Sequence, residues 1–241
     1  MSVDRICENE RRVLVAGAGG AVGWPLCNLL IAEGWKVFGT TRSCERARLF
    51  QRVGVEPVIV DVYDAEKLCK LLVEVQPEVV VHQLTDLPPG LDPKQMPEGL
   101  VRNMRIRDVG TRHLIAASIR ARATRIVVQS IAFAYKRGQQ PHMEGDPLES
   151  DALCAFEQQV IESPLEGLIL RYGHFYGPGT GFDEPHHVPA PVHVDAAADA
   201  ARRALVHGEP GVYNVAEEDG AVDIGKARAL LGWDPAFRLN I

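Results

Sequence analysis

Short apolar runs rich in β-branched residues alternate along the chain with longer amphipathic stretches. The strand-like runs are 13–16, 36–39, 57–60, 79–82, 125–129 and 168–170. The stretches between them carry apolar residues at spacings of three and four, which predicts helices at 21–33, 44–53, 65–75, about 98–121 and about 148–162. Parallel strands need a crossover connection, and strands that are apolar throughout are buried on both faces. The pattern therefore predicts a doubly wound α/β fold, a parallel sheet with helices on both faces.

Three long connections follow predicted strands, at 85–99, 136–147 and 172–191. The first is rich in proline and the third in glycine and proline, so neither favours a helix. In open α/β sheets ligands bind beyond the carboxyl ends of the strands. The three connections are therefore expected to border a ligand site.

Composition limits the classes of function. The net charge of −6 argues against a general nucleic-acid binder, and no apolar stretch is long enough to span a bilayer. The 5 cysteines lie far apart without a C-x-x-C spacing, which fits free thiols in a reducing compartment. With no apolar leader at the N-terminus, we expect a cytoplasmic protein whose partner is a small molecule, not nucleic acid or a membrane.

A glycine-rich turn follows the first predicted strand and opens the first predicted helix. It contains Gly17, Gly20 and Gly23, with Ala21 and Val22 between the last two. Glycine permits a tight turn and lets backbone N–H groups approach a pyrophosphate at the helix N-terminus. This context favours dinucleotide binding over a purely structural turn.

The spacing G-x-x-G-x-x-G resembles that of the extended short-chain dehydrogenase/reductases, the NAD(P)-dependent epimerase/dehydratase family. Further segments resemble motifs of that family in the same order, namely 61–62, 79–85, 171–179, 192–198, 213–215 and 226–233. The resemblance covers nearly the whole chain. It implies a single Rossmann domain over 1–241, in which 172–191 and 216–241 form a reduced substrate-side lobe. A small ligand, a pocket completed by a partner subunit, or no substrate at all would fit such a lobe.

The resemblance also implies a set of residues that bind the cofactor. Besides the residues of the glycine turn, these are Thr41, Arg42, Asp61, Val62, Leu84, Thr85 and Tyr172. No acid stands at the end of the second strand, where NAD enzymes hold the ribose hydroxyl, and Arg42 stands there instead. An arginine fork suits a 2′-phosphate, so we expect NADP, with NAD as the alternative. Arg46 is interpreted as a solvated charge.

The family's catalytic tyrosine and lysine are missing. Alignment of the family's helix glutamate with Glu157 places Glu149 and Leu153 at these two positions. The family's active hydroxyl lies four residues before a second tyrosine, which matches Tyr135, so the resemblance places Ile131 at this position and Ser130 one residue away. Four residues remain as catalytic candidates near the nicotinamide end: Ser130, Tyr135, His174 and Tyr176. The loop histidines 186 and 187 are further proton donors but lack the spacing of a metal site, so no metal is predicted.

Two functions remain open. The first is an atypical NAD(P)-dependent oxidoreductase or epimerase-like enzyme, and the alternative is a catalytically silent NADP-binding sensor. The resemblance further implies a homodimer formed through the helices at 98–121 and 148–162. In the second helix Leu153, Phe156, Val160 and Ile161 predict an apolar stripe for this contact, unless the stripe is covered within the chain.

Overall fold

The computed structural model describes residues 10–185 and 187–239. Nine strands lie within these ranges: β1 (Arg12–Ala16), β2 (Lys36–Thr41), β3 (Glu56–Ile59), β4 (Val79–His82), β5 (Arg125–Ile131), β6 (Glu166–Tyr172), β7 (His174–Tyr176), β8 (Pro191–His193) and β9 (Gly211–Val215). The helices are α1 (Gly23–Ala32), α2 (Cys44–Arg52), α3 (Ala65–Val75), α4 (Met96–Arg105), α5 (Thr111–Arg120), α6 (Asp151–Ile161), α7 (Val194–Ala204) and α8 (Gly225–Leu231).

Seven strands form one parallel sheet in the order β3-β2-β1-β4-β5-β6-β9. The strand order reverses between β1 and β4, and a crevice opens there at the carboxyl ends of these strands. The predicted doubly wound α/β fold is confirmed. Six of the seven strands were predicted from their apolar runs. The seventh, β9, coincides with the segment that resembles a family strand.

Helices cover both faces of the sheet. On one face α1 packs against α7, and Trp24 of α1 contacts Phe50 of α2 with ring centroids 6.2 Å apart. On the other face α5 packs against α3 and α6. Within the described residues, no helix is both long and apolar enough to cross a membrane.

The predicted helix at 98–121 is divided into three parts. It begins at Met96, because Pro97 is tolerated in a first helical turn, and residues Ile106–Gly110 form a π-helical turn between α4 and α5. A π turn inserts an extra residue and rotates the side chains that follow, and such turns are frequent at functional sites. Spacings of three and four occur on both sides of this turn, so the sequence pattern predicted one continuous helix.

The predicted apolar stripe of α6 is wrong. Leu153, Phe156 and Val160 are all buried within the chain, in the hydrophobic core between α6 and the sheet, and Ile161 alone of the four is exposed. The alternative of intramolecular burial therefore holds for this helix. The homodimer itself stays a prediction, and it no longer rests on these residues.

The connection at 172–191 is less irregular than predicted, because it contains β7 and reaches β8. These two strands pair in parallel in a separate small sheet. Four of the cysteines, Cys27, Cys44, Cys69 and Cys154, are free thiols. Cys7 and His186 lie outside the described residues.

Candidate active site

Two cavities lie side by side over the carboxyl ends of the sheet strands. The β2-side cavity has a volume of about 660 Å³ and extends from the glycine turn to the ends of β2 and β3. The β6-side cavity has a volume of about 680 Å³ and extends from the same turn to β6, β7 and the 172–191 connection. Five residues line both cavities, namely Gly19, Gly20, Arg46, Gln83 and Thr85. The two cavities thus form one continuous groove across the point where the strand order reverses.

The glycine turn packs too tightly for side chains at two of its positions. Gly17 has a φ of +93°, and a Cβ atom there would lie 2.6 Å from the carbonyl oxygen of Gln83. A Cβ atom on Gly23 would lie 2.1 Å from the carbonyl oxygen of Gly17. At Gly20 the corresponding distance to that oxygen is 3.3 Å, so this glycine leaves space above the turn. The turn is therefore a backbone-lined cradle of the kind that receives a pyrophosphate.

Gln83 carries an unpaired acceptor where the two cavities meet. Its Nε2 donates to the Tyr172 hydroxyl at 3.2 Å, which fixes the amide, whereas its buried Oε1 has no hydrogen-bond partner. Buried polar atoms are rarely left unpaired, so this oxygen indicates a hydrogen-bond donor from a ligand in the groove. Together with the glycine cradle, it shows that the groove fits a dinucleotide cofactor.

All twelve residues that the sequence assigns to cofactor binding line the groove. In the β2-side cavity these are Gly17, Gly20, Thr41, Arg42, Asp61, Val62, Leu84 and Thr85. In the β6-side cavity they are Gly20, Ala21, Val22, Gly23, Thr85 and Tyr172. The cofactor motifs are separated by up to about 150 positions in the sequence, yet the parallel sheet brings them together because each follows a strand at the same edge.

Two arginines stand at the end of β2. The Arg42 side chain is 70% exposed, with Asp61 at 3.9 Å as a distant partner. Arg46 was interpreted from sequence as a solvated charge, but its Nη1 donates to the carbonyl oxygen of Gly19 at 3.3 Å and it lines both cavities. Arg42 precedes Ser43, the N-cap of α2, and Arg46 lies in the first turn of this helix, so both stand at its start, beside the end of β2.

Ser130 and Tyr135 do not line the groove. The buried Ser130 hydroxyl donates to Glu157 Oε1 at 2.6 Å, and Arg171 donates to both oxygens of the same carboxylate, at 2.9 and 2.6 Å. Arg171 also donates to the Tyr135 hydroxyl at 2.8 Å, and that hydroxyl donates to Asn214 at 2.6 Å. We call these five residues the Glu157 network. It lies between β5, β6, β9 and α6, away from both cavities.

The electrostatics of the Glu157 network also argue against proton transfer. Burial raises the pKa of Tyr135, and the charge of Arg171 beside it offsets only part of that shift. Burial lowers the pKa of the Arg171 guanidinium, but its hydrogen bonds to Glu157 more than compensate, and its pKa lies above the ordinary value. Tyr135 therefore stays neutral and Arg171 charged at any pH at which the protein is handled.

Side-chain alternation on β5 explains why Ser130 is turned away. Gln129 and Ile131 point into the β6-side cavity, so Ser130 between them points to the opposite face of the sheet. Ile131 occupies the position at which the resemblance places the family's active hydroxyl. Of the positions matching the catalytic tyrosine and lysine, Glu149 is exposed and Leu153 is buried in the core. Among the residues that the structure describes, no tyrosine–lysine pair replaces them in this cavity.

His174 and Tyr176 do line the β6-side cavity. The Nδ1 atom of His174 lies 2.8 Å from the carbonyl oxygen of Pro189, and its ring stacks on Phe133 with centroids 3.8 Å apart. The Tyr176 hydroxyl donates to Glu217, while Arg238 donates to that hydroxyl at 2.7 Å. Burial and the hydrogen bond to Glu217 raise the pKa of Tyr176 to about 12.

These two side chains therefore differ in what they offer a ligand. A carbonyl partner requires the proton of His174 on Nδ1, which leaves Nε2 as the atom that exchanges a proton with a ligand. The Tyr176 hydroxyl proton is already committed to a carboxylate. His174 is thus the better placed of the two for proton transfer. Within residues 10–185 and 187–239, no three His, Cys, Asp or Glu side chains gather as metal ligands do.

Comparison with known proteins agrees with this geometry. Residues 13–201 match the NAD dependent epimerase/dehydratase family. A relative from Streptomyces sp, 3-diazoavenalumate denitrifying reductase, is 37% identical in an alignment that covers 87% of this chain and 77% of the relative.

Solved structures share the fold at lower sequence identity. The UDP-glucose 4-epimerase of Thermotoga maritima, solved with UDP-glucose, superposes with a TM-score of 0.77 at 18% identity and 94% coverage of both chains. The UDP-glucose 4-epimerase of Thermus thermophilus, solved with NAD, gives a TM-score of 0.76 at 21% identity and 95% coverage of both chains. The sequence match, the relative and the glycine cradle at the reversal point together place this chain in the NAD dependent epimerase/dehydratase family.

Proposed function

We propose that this chain is an NADPH-dependent reductase that transfers a hydride to a small diazo compound and releases dinitrogen. The observation that carries the proposal is the acceptor end of the groove, where Ile131 stands in place of the family's active hydroxyl and where neither Glu149 nor Leu153, which match the tyrosine–lysine pair, lines the cavity. The 37% identical relative, which is named a reductase of a diazo compound, supports the same chemistry. The proposal favours an enzyme over a silent cofactor sensor.

Proton balance explains why a diazo acceptor fits this site. Reduction of a carbonyl group consumes a proton as well as a hydride, so it needs a side-chain acid beside the substrate oxygen. A diazo acceptor bound in its diazonium form needs only the hydride: R–N₂⁺ and H⁻ give R–H and N₂, with one C–N bond broken and one C–H bond formed. No proton is taken from the protein, so the loss of the tyrosine–lysine pair does not stop this reaction.

The residues that would hold the cofactor are those of the groove. The glycine cradle receives the pyrophosphate, Asp61 and Val62 border the adenosine end, and Gln83 offers its free Oε1 where the cavities meet. When bound, a reduced nicotinamide supplies the hydride. We further propose NADPH over NADH, because Arg42 and Arg46 offer two guanidinium groups at the end of β2, where an acid would hold a ribose hydroxyl.

The β6-side cavity would receive the acceptor. Much of its wall is apolar, including Leu87, Leu91, Ile131, Phe133 and Phe175. The stacked rings of Phe133 and His174 present an aromatic surface, which suits a flat conjugated molecule. His174 is the residue in this cavity that we propose for any proton exchange with the product.

Turnover with 3-diazoavenalumate tests the proposal. Purified protein is mixed with NADPH and this compound, the loss of reduced-nicotinamide absorbance is followed, and released N₂ is measured by mass spectrometry. We expect one N₂ for each NADPH oxidised and slower turnover with NADH. Tight NADPH binding without oxidation would contradict the reductase and favour the sensor. Epimerisation of UDP-glucose, run as a parallel assay, would also contradict it.

A further inference from the structure

Arg107 is a charged residue of the groove for which neither the sequence motifs nor the proposed hydride transfer provides a role. It lies in the π-helical turn Ile106–Gly110 between α4 and α5, and its side chain lines the β6-side cavity. In a regular α-helix the side chains of residues 106–110 would point in other directions. The extra residue of the π turn therefore sets the direction of the Arg107 side chain. Arg107 therefore places a positive charge in a cavity whose walls are largely apolar.

The guanidinium of Arg107 has no acidic partner among the described residues. Its contacts are the sulfur of Met104 at 4.0 Å and the ring of Phe156, whose centroid lies 5.9 Å away. The nearby carboxylate of Glu157 is already occupied, since both of its oxygens accept hydrogen bonds from Arg171 and one also accepts from Ser130. Apart from the weak hydrogen bond that Nη1 donates to the Met104 sulfur, the N–H donors of Arg107 are therefore available for a ligand.

Desolvation makes this unpaired charge costly. Arg107 is partly buried, and burial lowers its pKa, with the Glu157 carboxylate opposing the shift. Its charge extends to the neighbouring core, where burial and then Arg107 lower the pKa of His82 to about 3. A partly desolvated cation gains most from a bound anion, because an ion pair is stronger at low dielectric than in water.

The charge balance of the cavity favours the same ligand. Among its described lining residues the cations are Arg46 and Arg107, and Glu184 is the single carboxylate, at the exposed edge. Arg46 belongs to the proposed cofactor site, because it also lines the β2-side cavity and donates to Gly19 of the glycine turn. Arg107 is then the cation left for the acceptor.

We infer that Arg107 binds a carboxylate group of the acceptor, so that the substrate is an acid with a flat apolar body. The identity of the reacting group in this inference rests on the proposed function, whereas the assignment of a carboxylate does not. A planar guanidinium and a planar carboxylate form two parallel hydrogen bonds, and this pairing orients a ligand as well as attracting it. The "-ate" in the name of the Streptomyces relative's substrate is consistent with such a group.

Binding of non-reactive ligands tests the inference without turnover. Calorimetry with saturating NADP⁺ compares avenalumate, the acid without a diazo group, with its primary amide. We expect the wild-type protein to bind the acid at least about 10-fold more tightly, in line with hydrogen bonds to charged groups. Arg107→Gln should abolish this preference, and Arg107→Lys should retain part of it. The exposed Arg112, paired with Asp108 outside the groove, provides the control Arg112→Gln, which should retain all of it.

Three results would overturn the inference. They are an acid preference that survives in Arg107→Gln, no preference in the wild type, and a loss of NADP⁺ affinity in place of acid affinity, which would assign Arg107 to the cofactor. Melting curves of Arg107→Gln and Arg107→Lys confirm that both variants are folded. Acid binding that depends on Arg107, in a protein that does not reduce 3-diazoavenalumate, would contradict the proposed function and leave the carboxylate site in place.

Discussion

The Glu157 network and the groove hold polar side chains in opposite ways. Ser130, Arg171 and Tyr135 have their hydrogen bonds satisfied within the Glu157 network and are closed off from the groove. In the groove, Gln83 has an unpaired oxygen, and Arg107, which comes from the same helix layer as Glu157, has no acidic partner among the described residues. A network whose hydrogen bonds are all made stabilises the fold, whereas buried groups without partners are available to bind a ligand. Residue type alone predicted catalytic roles for Ser130 and Tyr135. Their hydrogen-bond partners show instead that Gln83 and Arg107 are the polar residues available to a ligand.

The sharpest test of this contrast is to remove the carboxylate of the Glu157 network. Glu157→Gln leaves Arg171 charged, buried and without its anion, which should lower the free energy of unfolding by about 3–5 kcal/mol. Ser130→Ala removes one hydrogen bond and should cost about 1 kcal/mol. Urea unfolding measures both values.

Activity separates a structural network from a catalytic one. Turnover per folded molecule should change little in Ser130→Ala and in Tyr135→Phe, because neither hydroxyl reaches the groove. A large loss of turnover in either variant, with a native melting curve, would show that the network takes part in the reaction.

In the groove, the second test is the substitution Gly20→Val. A Cβ atom there stays 3.3 Å from the nearest atom of the turn, but the branched methyl groups fill the space that the pyrophosphate needs. Cofactor affinity should fall about 100-fold or more while the melting temperature stays close to wild type. Fluorescence titration with NADPH measures the affinity.

Gly23 provides the contrast to Gly20. Gly23→Ala places a Cβ atom 2.1 Å from the Gly17 carbonyl oxygen, so here we expect the fold itself to be destabilised. If Gly20→Val keeps full affinity for NADPH, the turn is structural only and the proposed cofactor site is wrong.

The third test addresses cofactor preference at the end of β2. Arg42→Asp replaces an exposed guanidinium with a carboxylate that repels a 2′-phosphate and accepts from a ribose hydroxyl. The ratio of NADPH to NADH affinity should fall by about 10- to 100-fold. Calorimetry with both cofactors measures the two affinities. The matched control is Arg48→Asp, because Arg48 is an exposed arginine of α2 that does not line the cavities. An equal affinity for both cofactors in the wild-type protein would contradict the assignment to NADPH.

The last prediction concerns the homodimer, whose disruption should change the groove least. With Phe156 buried, the exposed large apolar residues on the predicted contact helices are Leu100 and Val101 on α4, Ile119 on α5 and Ile161 on α6, at 52%, 72%, 41% and 51% exposure. We expect light scattering at micromolar concentration to give about twice the 26.4 kDa chain mass. Val101→Glu should shift the protein toward monomer, while Val206→Glu, exposed elsewhere, should not. A monomeric wild-type protein would contradict the dimer.

The sequence by itself determined the fold and the cofactor half of the groove. The alternation of apolar runs and amphipathic stretches is a local property, and the motifs that follow β1, β2, β3 and β4 lie at one edge of any parallel sheet. Twelve residues could therefore be assigned to a predicted cofactor site before their positions were known, and all of them line the groove.

Only the tertiary structure decided what the other half of the groove contains. The direction of Ser130 depends on its place in the pleat of β5, and that of Arg107 on a π turn that leaves no trace in the apolar pattern. Whether a charge is paired depends on partners far away in the sequence, as Glu157 shows by engaging Arg171 and leaving Arg107 without an acidic partner in the described part of the chain. Local periodicity specifies which residues form a strand or helix, but hydrogen-bond partners are set by packing between elements.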